Sequence, residues 1–156
     1  MNKYIAGALA GAAATIPMSA LMLFLHRQIP KRERRALPPE QITKKIADEL
    51  GAGEIVDEET ESKVVTLVNH FAYGAASGAA YAAVASKIDL PPVLKGTVYG
   101  LAVWTGSYLG WLPLFGVRES ATERPASENA MMIAAHVIFG AALGQALETL
   151  SDEQIG

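Results

Sequence analysis

Four long apolar stretches, at 4–25, 64–86, 96–117 and 129–147, alternate with polar segments along the chain, and none contains Asp, Glu, Lys or Arg. A helix rises about 1.5 Å per residue, so roughly 20 apolar residues cross a hydrocarbon core of about 30 Å. Each stretch is long enough, the last with Glu148 near the headgroups. Inside lipid a segment must satisfy its own backbone amides, which predicts a helix for each. A soluble helix needs a charged outer face, and these have none. The pattern therefore predicts an all-α polytopic membrane protein. Its four transmembrane helices form a bundle packed through small residues, in a single domain over 1–156.

The segment 26–63 between the first two spans has a different pattern. After Pro38 and Pro39, the residues Ile42, Ile46 and Leu50 recur on one helical face, with Gln41, Lys44, Lys45 and Glu49 elsewhere. Pro39 suits a first helical turn and Gly51 a C-terminal cap. This predicts a short amphipathic cytoplasmic helix, lying on the membrane or docked on the bundle. The preceding run RQIPKRERRALPPE is basic and sits beside the first span. It sets topology, and it attracts anionic headgroups by about 1 kcal/mol per Lys or Arg near the surface. The following run EIVDEETES reads as a solvated acidic link.

Charge then orients the spans. Arg27, Lys31, Arg32, Arg34, Arg35, Lys44, Lys45 and Lys63 precede the second span, and Arg118 and Arg124 lie between the last two; only Lys3, Lys87 and Lys95 fall on the opposite side. By the positive-inside rule both long loops are cytoplasmic, with both termini and the short loop IDLPP on the non-cytoplasmic side. The first apolar run is longer than a signal-peptide core and lacks a small-residue cleavage site, so it reads as a retained span. With no cysteine among 156 residues there is no disulfide, thiolate nucleophile, iron–sulfur cluster or zinc-thiolate site. A net charge of −3 gives no reason to expect nucleic acid as a partner.

Candidate chemistry centres on a repeated motif. His70, Gly74 and Gly78 in the second span and His136, Gly140 and Gly144 in the fourth both read H-x-x-x-G-x-x-x-G. Gly7 with Gly11, Gly96 with Gly100, and Gly106 with Gly110 show the related spacing in the other two spans. A duplicated helical hairpin, with the cytoplasmic segment inserted in the first copy, accounts for this. Glycines four apart share a helix face and permit close backbone approach, so these ten are the expected packing residues.

Ionisable groups inside a span face the interior or a cavity. His70 and His136 lie at similar depth, roughly 10 Å inside the cytoplasmic end by helical rise. Their first reading is interhelical hydrogen bonding, with Asn69, Thr66, Tyr73 or Tyr99 as partners. A haem iron held axially between them, with glycine at i+4 making room for the macrocycle, is one rival. A proton relay is the other. No third or fourth ligand completes a metal site. His26 reads as snorkelling beside Arg27, and Pro17 as a kink whose freed carbonyl Thr15 or Ser19 can serve. Tyr99, Trp104, Tyr108, Trp111 and Phe115 run down the third span, and Pro113 marks where it loosens.

The spans carry no mid-span Asp pair, H-E-x-x-H or G-x-S-x-G, so no enzyme is expected. The expected function is that of a non-enzymatic accessory or self-associating packing subunit, in a homo-oligomer or larger membrane complex with the lipid bilayer around it. No cofactor is expected. The rivals are a haem-binding redox protein using His70 and His136, and a proton or small-solute conduit.

The segments LPPEQITKKI, HFAYGAASGAAY, WTGSYLGWLPLFG and ENAMMIAAHVIFGAALG, in that order, resemble the YagU-like group of small bacterial inner-membrane proteins. The resemblance runs from about Gly7 to about Leu147. It implies a four-span protein of the bacterial inner (cytoplasmic) membrane, and it carries over no catalytic or binding residue.

Overall fold

The computed structural model describes residues 1–30, 32, 36–51 and 59–152. Lys31, Arg34 and Arg35 of the basic run, and residues 52–58 of the acidic link, lie outside the described residues. Among the described residues all regular structure is helical: α1 (Lys3–Gln28), α2 (Pro38–Glu49), α3 (Glu59–Val84), α4 (Pro92–Thr105), α5 (Leu112–Leu114) and α6 (Ala126–Asp152). A π-helical segment, Gly106–Trp111, joins α4 to α5.

Two helices, Lys3–Gln28 and Ala126–Ser151, are long and apolar enough to cross a membrane. The other two expected spans differ for separate reasons. In α3 the polar residues Asn69, His70, Tyr73, Ser77 and Tyr81 lower the hydropathy. The third span is not one α-helix. Its α-helical part stops at Thr105, and Gly110 takes non-helical dihedrals (φ −112°, ψ −106°) within the π segment. The chain therefore breaks ahead of Pro113, the residue expected to loosen it. The turn after α5 closes at Gly116, whose φ of +64° suits glycine.

Local chemistry explains the ends. Asn2 caps α1 by accepting the Tyr4 amide at 2.9 Å. Pro38 and Pro39 open α2, and Gly51 beyond its end has φ +69°. α1 continues as one helix through Pro17. The carbonyl that Pro17 leaves without its usual donor is that of Ala13. Neither expected donor serves it: the Thr15 hydroxyl donates to the Gly11 carbonyl at 2.9 Å, and the buried Ser19 hydroxyl has no partner among the described residues.

The helices pack as two close pairs, α1 with α3 and α4 with α6, joined through α1 against α6. Both pairs rest on backbone contact at glycine. A Cβ on Gly11 would fall on the Gly74 carbonyl oxygen and the Gly78 Cα; one on Gly96 would fall on the Gly140 carbonyl oxygen and the Gly144 Cα. Four residues away the register holds again, since Gly7 abuts Gly78 and Ala82, while Gly144 abuts Pro92. Thr15, fully buried against Gly74, occupies the place that Gly100 takes against the His136 carbonyl. Gly106 and Gly110 behave differently: they lie in the π segment, where Gly106 has nothing within 4 Å and Gly110 meets only its own Thr105 carbonyl. A Cβ at either position would meet no other helix.

If the two pairs repeated fully, α4 would lie along α3 as α1 lies along α6. Instead α3 and α4 meet only lightly. Tyrosines bridge this open seam. Tyr99 donates to the Ser77 carbonyl at 2.8 Å, the Tyr73 and Ser107 hydroxyls are 3.0 Å apart, and the Tyr81 and Tyr99 rings stand 5.0 Å apart. Large side chains hold apart what glycine holds together in the pairs.

Candidate functional site: a histidine-lined cleft at the open seam

The seam widens into a cleft of about 450 Å³. α3 supplies Asn69, His70 and Tyr73, the π segment supplies Ser107, Tyr108 and Trp111, and α6 supplies Met132 and His136. Met18 of α1 and Leu112 of α5 complete the depth. The amphipathic helix α2 lies over the opening. Pro39, Ile42, Thr43 and Ile46 line it from above, and α2 packs on α3. Of the two placements open to α2 from sequence, this is the docked one. Its polar face carries the pairs Lys44–Glu40 at 3.1 Å and Lys45–Glu49 at 2.8 Å. The hydrogen bond from Lys45, then its charge, lowers the Glu49 carboxyl below its ordinary value.

The structure brings His70 and His136 to the same cleft, although their helices α3 and α6 sit across the array from one another. Both also line a smaller cavity of about 30 Å³ beneath it, with Thr15, Gly74 and Phe139. His136 is the better defined of the two. It is buried, and its Nδ1 lies 2.8 Å from the Met132 carbonyl oxygen. A carbonyl can only accept, so Nδ1 carries the proton and Nε2 keeps the lone pair. The Tyr108 ring meets the imidazole edge-on at a centroid distance of 5.9 Å, and Trp104 stacks with Tyr108 at 6.2 Å. Met132 was thus the bonding partner missed from sequence. Its i−4 position was the only available signal. Tyr73, weighed as a histidine partner, is held by Ser107, and Tyr99 is held by Ser77.

The glycines expected to make room for a macrocycle beside the histidines are otherwise engaged. Gly74 faces Thr15 and Gly140 faces Gly96, both inside helix contacts. The cleft owes its space to the π segment. Among the described residues, no group of three or more His, Asp or Glu is placed to hold a metal ion.

Next to the cleft lies a buried ion cluster that sequence counting did not foresee. Arg118 and Glu128 are each 8% exposed and pair with one another. Arg124 reaches Glu128 at 2.8 Å and Glu119 at 2.9 Å. The Arg118 guanidinium lies 5.1 Å from the Tyr108 ring centroid, so the cluster closes the back of the cleft wall. Ser120 and Glu123 cap the short turn between, and Asn129 donates to the Ala121 carbonyl at 2.7 Å.

These features define a class: an all-helical protein with two helices suited to a membrane, built on glycine-packed helix pairs around an uncharged cleft. Residues 18–144 match the family described as "Protein of unknown function (DUF1440)", and the chain belongs to that family. No curated protein and no solved structure matches it.

Proposed function

We propose that this protein is a non-enzymatic integral protein of the bacterial inner membrane, crossing it four times and serving as an accessory subunit of a membrane complex. The observation that carries this reading is the apolar exterior. Ile5, Leu9, Ile16, Leu23 and Phe24 of α1, Val64, Leu67 and Val68 of α3, and Val93, Leu94 and Val98 of α4 are all exposed. A belt of this kind on three helices far exceeds what a water-facing surface tolerates, and it suits lipid or a membrane partner. The resemblance to the YagU-like group supports the same location. Self-association through glycine faces loses its support, because Gly7, Gly11, Gly74 and Gly78, and likewise Gly96, Gly100, Gly140 and Gly144, are taken up within the chain. A partner would have to use the outer aliphatic surface.

Because the chain has no cysteine, single introduced cysteines report topology cleanly. Both termini and the Asp89 loop are proposed to be non-cytoplasmic, and α2 cytoplasmic. Asp89→Cys should react with a membrane-impermeant maleimide on spheroplasts, and Asp48→Cys only after lysis. Equal labelling of both overturns the four-span reading, and the reverse pattern overturns its orientation. Purification in mild detergent should recover a partner at fixed ratio, and a bare monomer would overturn the accessory role.

Haem binding between His70 and His136 is the second reading, favoured by their shared cleft. An absorption spectrum of the purified protein, with and without added haem, tests it. A Soret band lost in His70→Ala would support it, and a colourless protein indifferent to haem would remove it.

A further inference from the structure

We propose that the cleft is a binding site for a small, neutral, flat aromatic molecule carrying a hydroxyl, a phenol or hydroquinone-type ring, whose hydroxyl donates to Nε2 of His136. Four observations converge on this class. The first is volume, since about 450 Å³ falls within the range of ordinary small-molecule sites and above what a lone water needs. The second is charge. No Asp, Glu, Lys or Arg lines the cleft among the described residues, so an ionic ligand would enter uncompensated. The third is shape. Tyr73, Tyr108 and Trp111 stand on the walls with Met18 and Met132, surfaces that favour a flat ring through aromatic and sulfur contacts.

The fourth observation selects a donor on that ring. His136 is buried, and its Nδ1 proton is committed to the Met132 carbonyl. Its remaining ring nitrogen is an acceptor on a residue of the cleft lining, which His70 shares, and a ligand hydroxyl is the donor that suits it. The nearby hydroxyls of Tyr73 and Ser107 already face each other. Helix α2 covers the opening with Ile42 and Ile46, so a bound ring would be shielded from water without a covalent or ionic hold.

The chain contains two tryptophans, and Trp111, unlike Trp104, lines the cleft. The full-length Trp104→Phe protein in mild detergent therefore reports occupancy through Trp111 emission. The probes are 2-naphthol and its methyl ether, which share a ring system and differ in the donor. Saturable quenching should appear with both, with 2-naphthol binding on the order of tenfold more tightly, as one buried hydrogen bond implies. In His136→Phe the naphthol should weaken to the level of the ether, while the ether is unchanged. Ala76→Phe, placed at an exposed position on the cleft wall, should abolish binding of both while far-ultraviolet circular dichroism and gel-filtration profile stay as in the parent. Equal affinity for the two probes would overturn the donor–acceptor pairing, leaving an apolar cavity of the kind a lipid tail fills. Quenching that never saturates, or that survives Ala76→Phe, would overturn the site itself. Haem held between His70 and His136 would occupy the same nitrogen, so naphthol binding that survives haem loading would overturn the pairing with His136. Haem binding that fails with naphthol binding intact would overturn the haem reading alone.

Discussion

Arg118 and Glu128 form an ion pair that is nearly closed to solvent, with Arg124 bound to the same carboxylate. Counted from sequence, both arginines argue only for the side of the membrane on which their loop lies. In the structure Glu128 holds both guanidinium groups, and one of them, that of Arg118, lies over the Tyr108 ring on the cleft wall. Removing one partner of a buried pair strands the other, at a cost of roughly 3–5 kcal/mol. Glu128→Ala should therefore unfold well before the parent in a denaturant titration in detergent. Glu119→Ala should shift the midpoint by less than about 1 kcal/mol, because that carboxylate is 61% exposed. Equal effects would mean that Glu128 is not the centre of the cluster.

The glycine contacts make a graded prediction. Gly11→Ala and Gly96→Ala place a methyl on the carbonyl oxygens of Gly74 and Gly140, so the helix pair must separate. Overpacking of this kind costs typically 1–3 kcal/mol. Gly106→Ala meets open space, and in a helical segment the change to alanine is neutral or stabilising by up to about 1 kcal/mol. Thermal midpoints of the three variants, measured side by side, check the ordering. A Gly106→Ala loss as large as that of Gly11→Ala would contradict the contact assignment.

Helix α2 was legible almost in full. The period of Ile42, Ile46 and Leu50, the paired prolines and Gly51 gave its place to within a residue or two, because each signal is local. Which apolar residues touch the core was not legible. Ile42 packs against the buried residues, whereas Leu50 is 77% exposed. Ile42→Glu should put a charge at the mouth of the apolar cleft and lift α2 off α3. Amide exchange across Pro38–Glu49 should then rise by an order of magnitude or more, since about 1.4 kcal/mol corresponds to tenfold. Leu50→Glu should leave exchange unchanged.

The candidate site was half legible, for a physical reason. His70 and His136 stand out because polar groups are rare in apolar helices, and their matching motifs put them at one depth. Their convergence depends on bundle order, and on α4 giving way to the π segment Gly106–Trp111 beside the seam. Neither leaves a local signal, because a π segment is stabilised by what packs around it. A Cβ added at Gly7, Gly11, Gly74, Gly78, Gly96, Gly100, Gly140 or Gly144 would run into a neighbouring helix. At Gly106 and Gly110 the same spacing falls in the π segment, where an added Cβ meets no neighbouring helix.

The bridge across that seam yields the last prediction. The Tyr73 and Ser107 hydroxyls lie 3.0 Å apart, between α3 and the π segment, where helix packing is otherwise light. Hydrogen bonds between membrane helices couple by about 0.6 kcal/mol on average, up to about 1.7. Tyr73→Phe and Ser107→Ala remove the two halves while keeping most of the packing volume. A double-mutant cycle on detergent unfolding should return a coupling in that range, with the double variant less destabilised than the sum of the singles. The same variants separate structure from binding. Tyr73 keeps its ring in Tyr73→Phe, so ring stacking in the cleft should persist while the seam loosens. Additive effects would mean that the hydroxyls do not bond, and that the seam is held by aromatic packing between Tyr81 and Tyr99 instead.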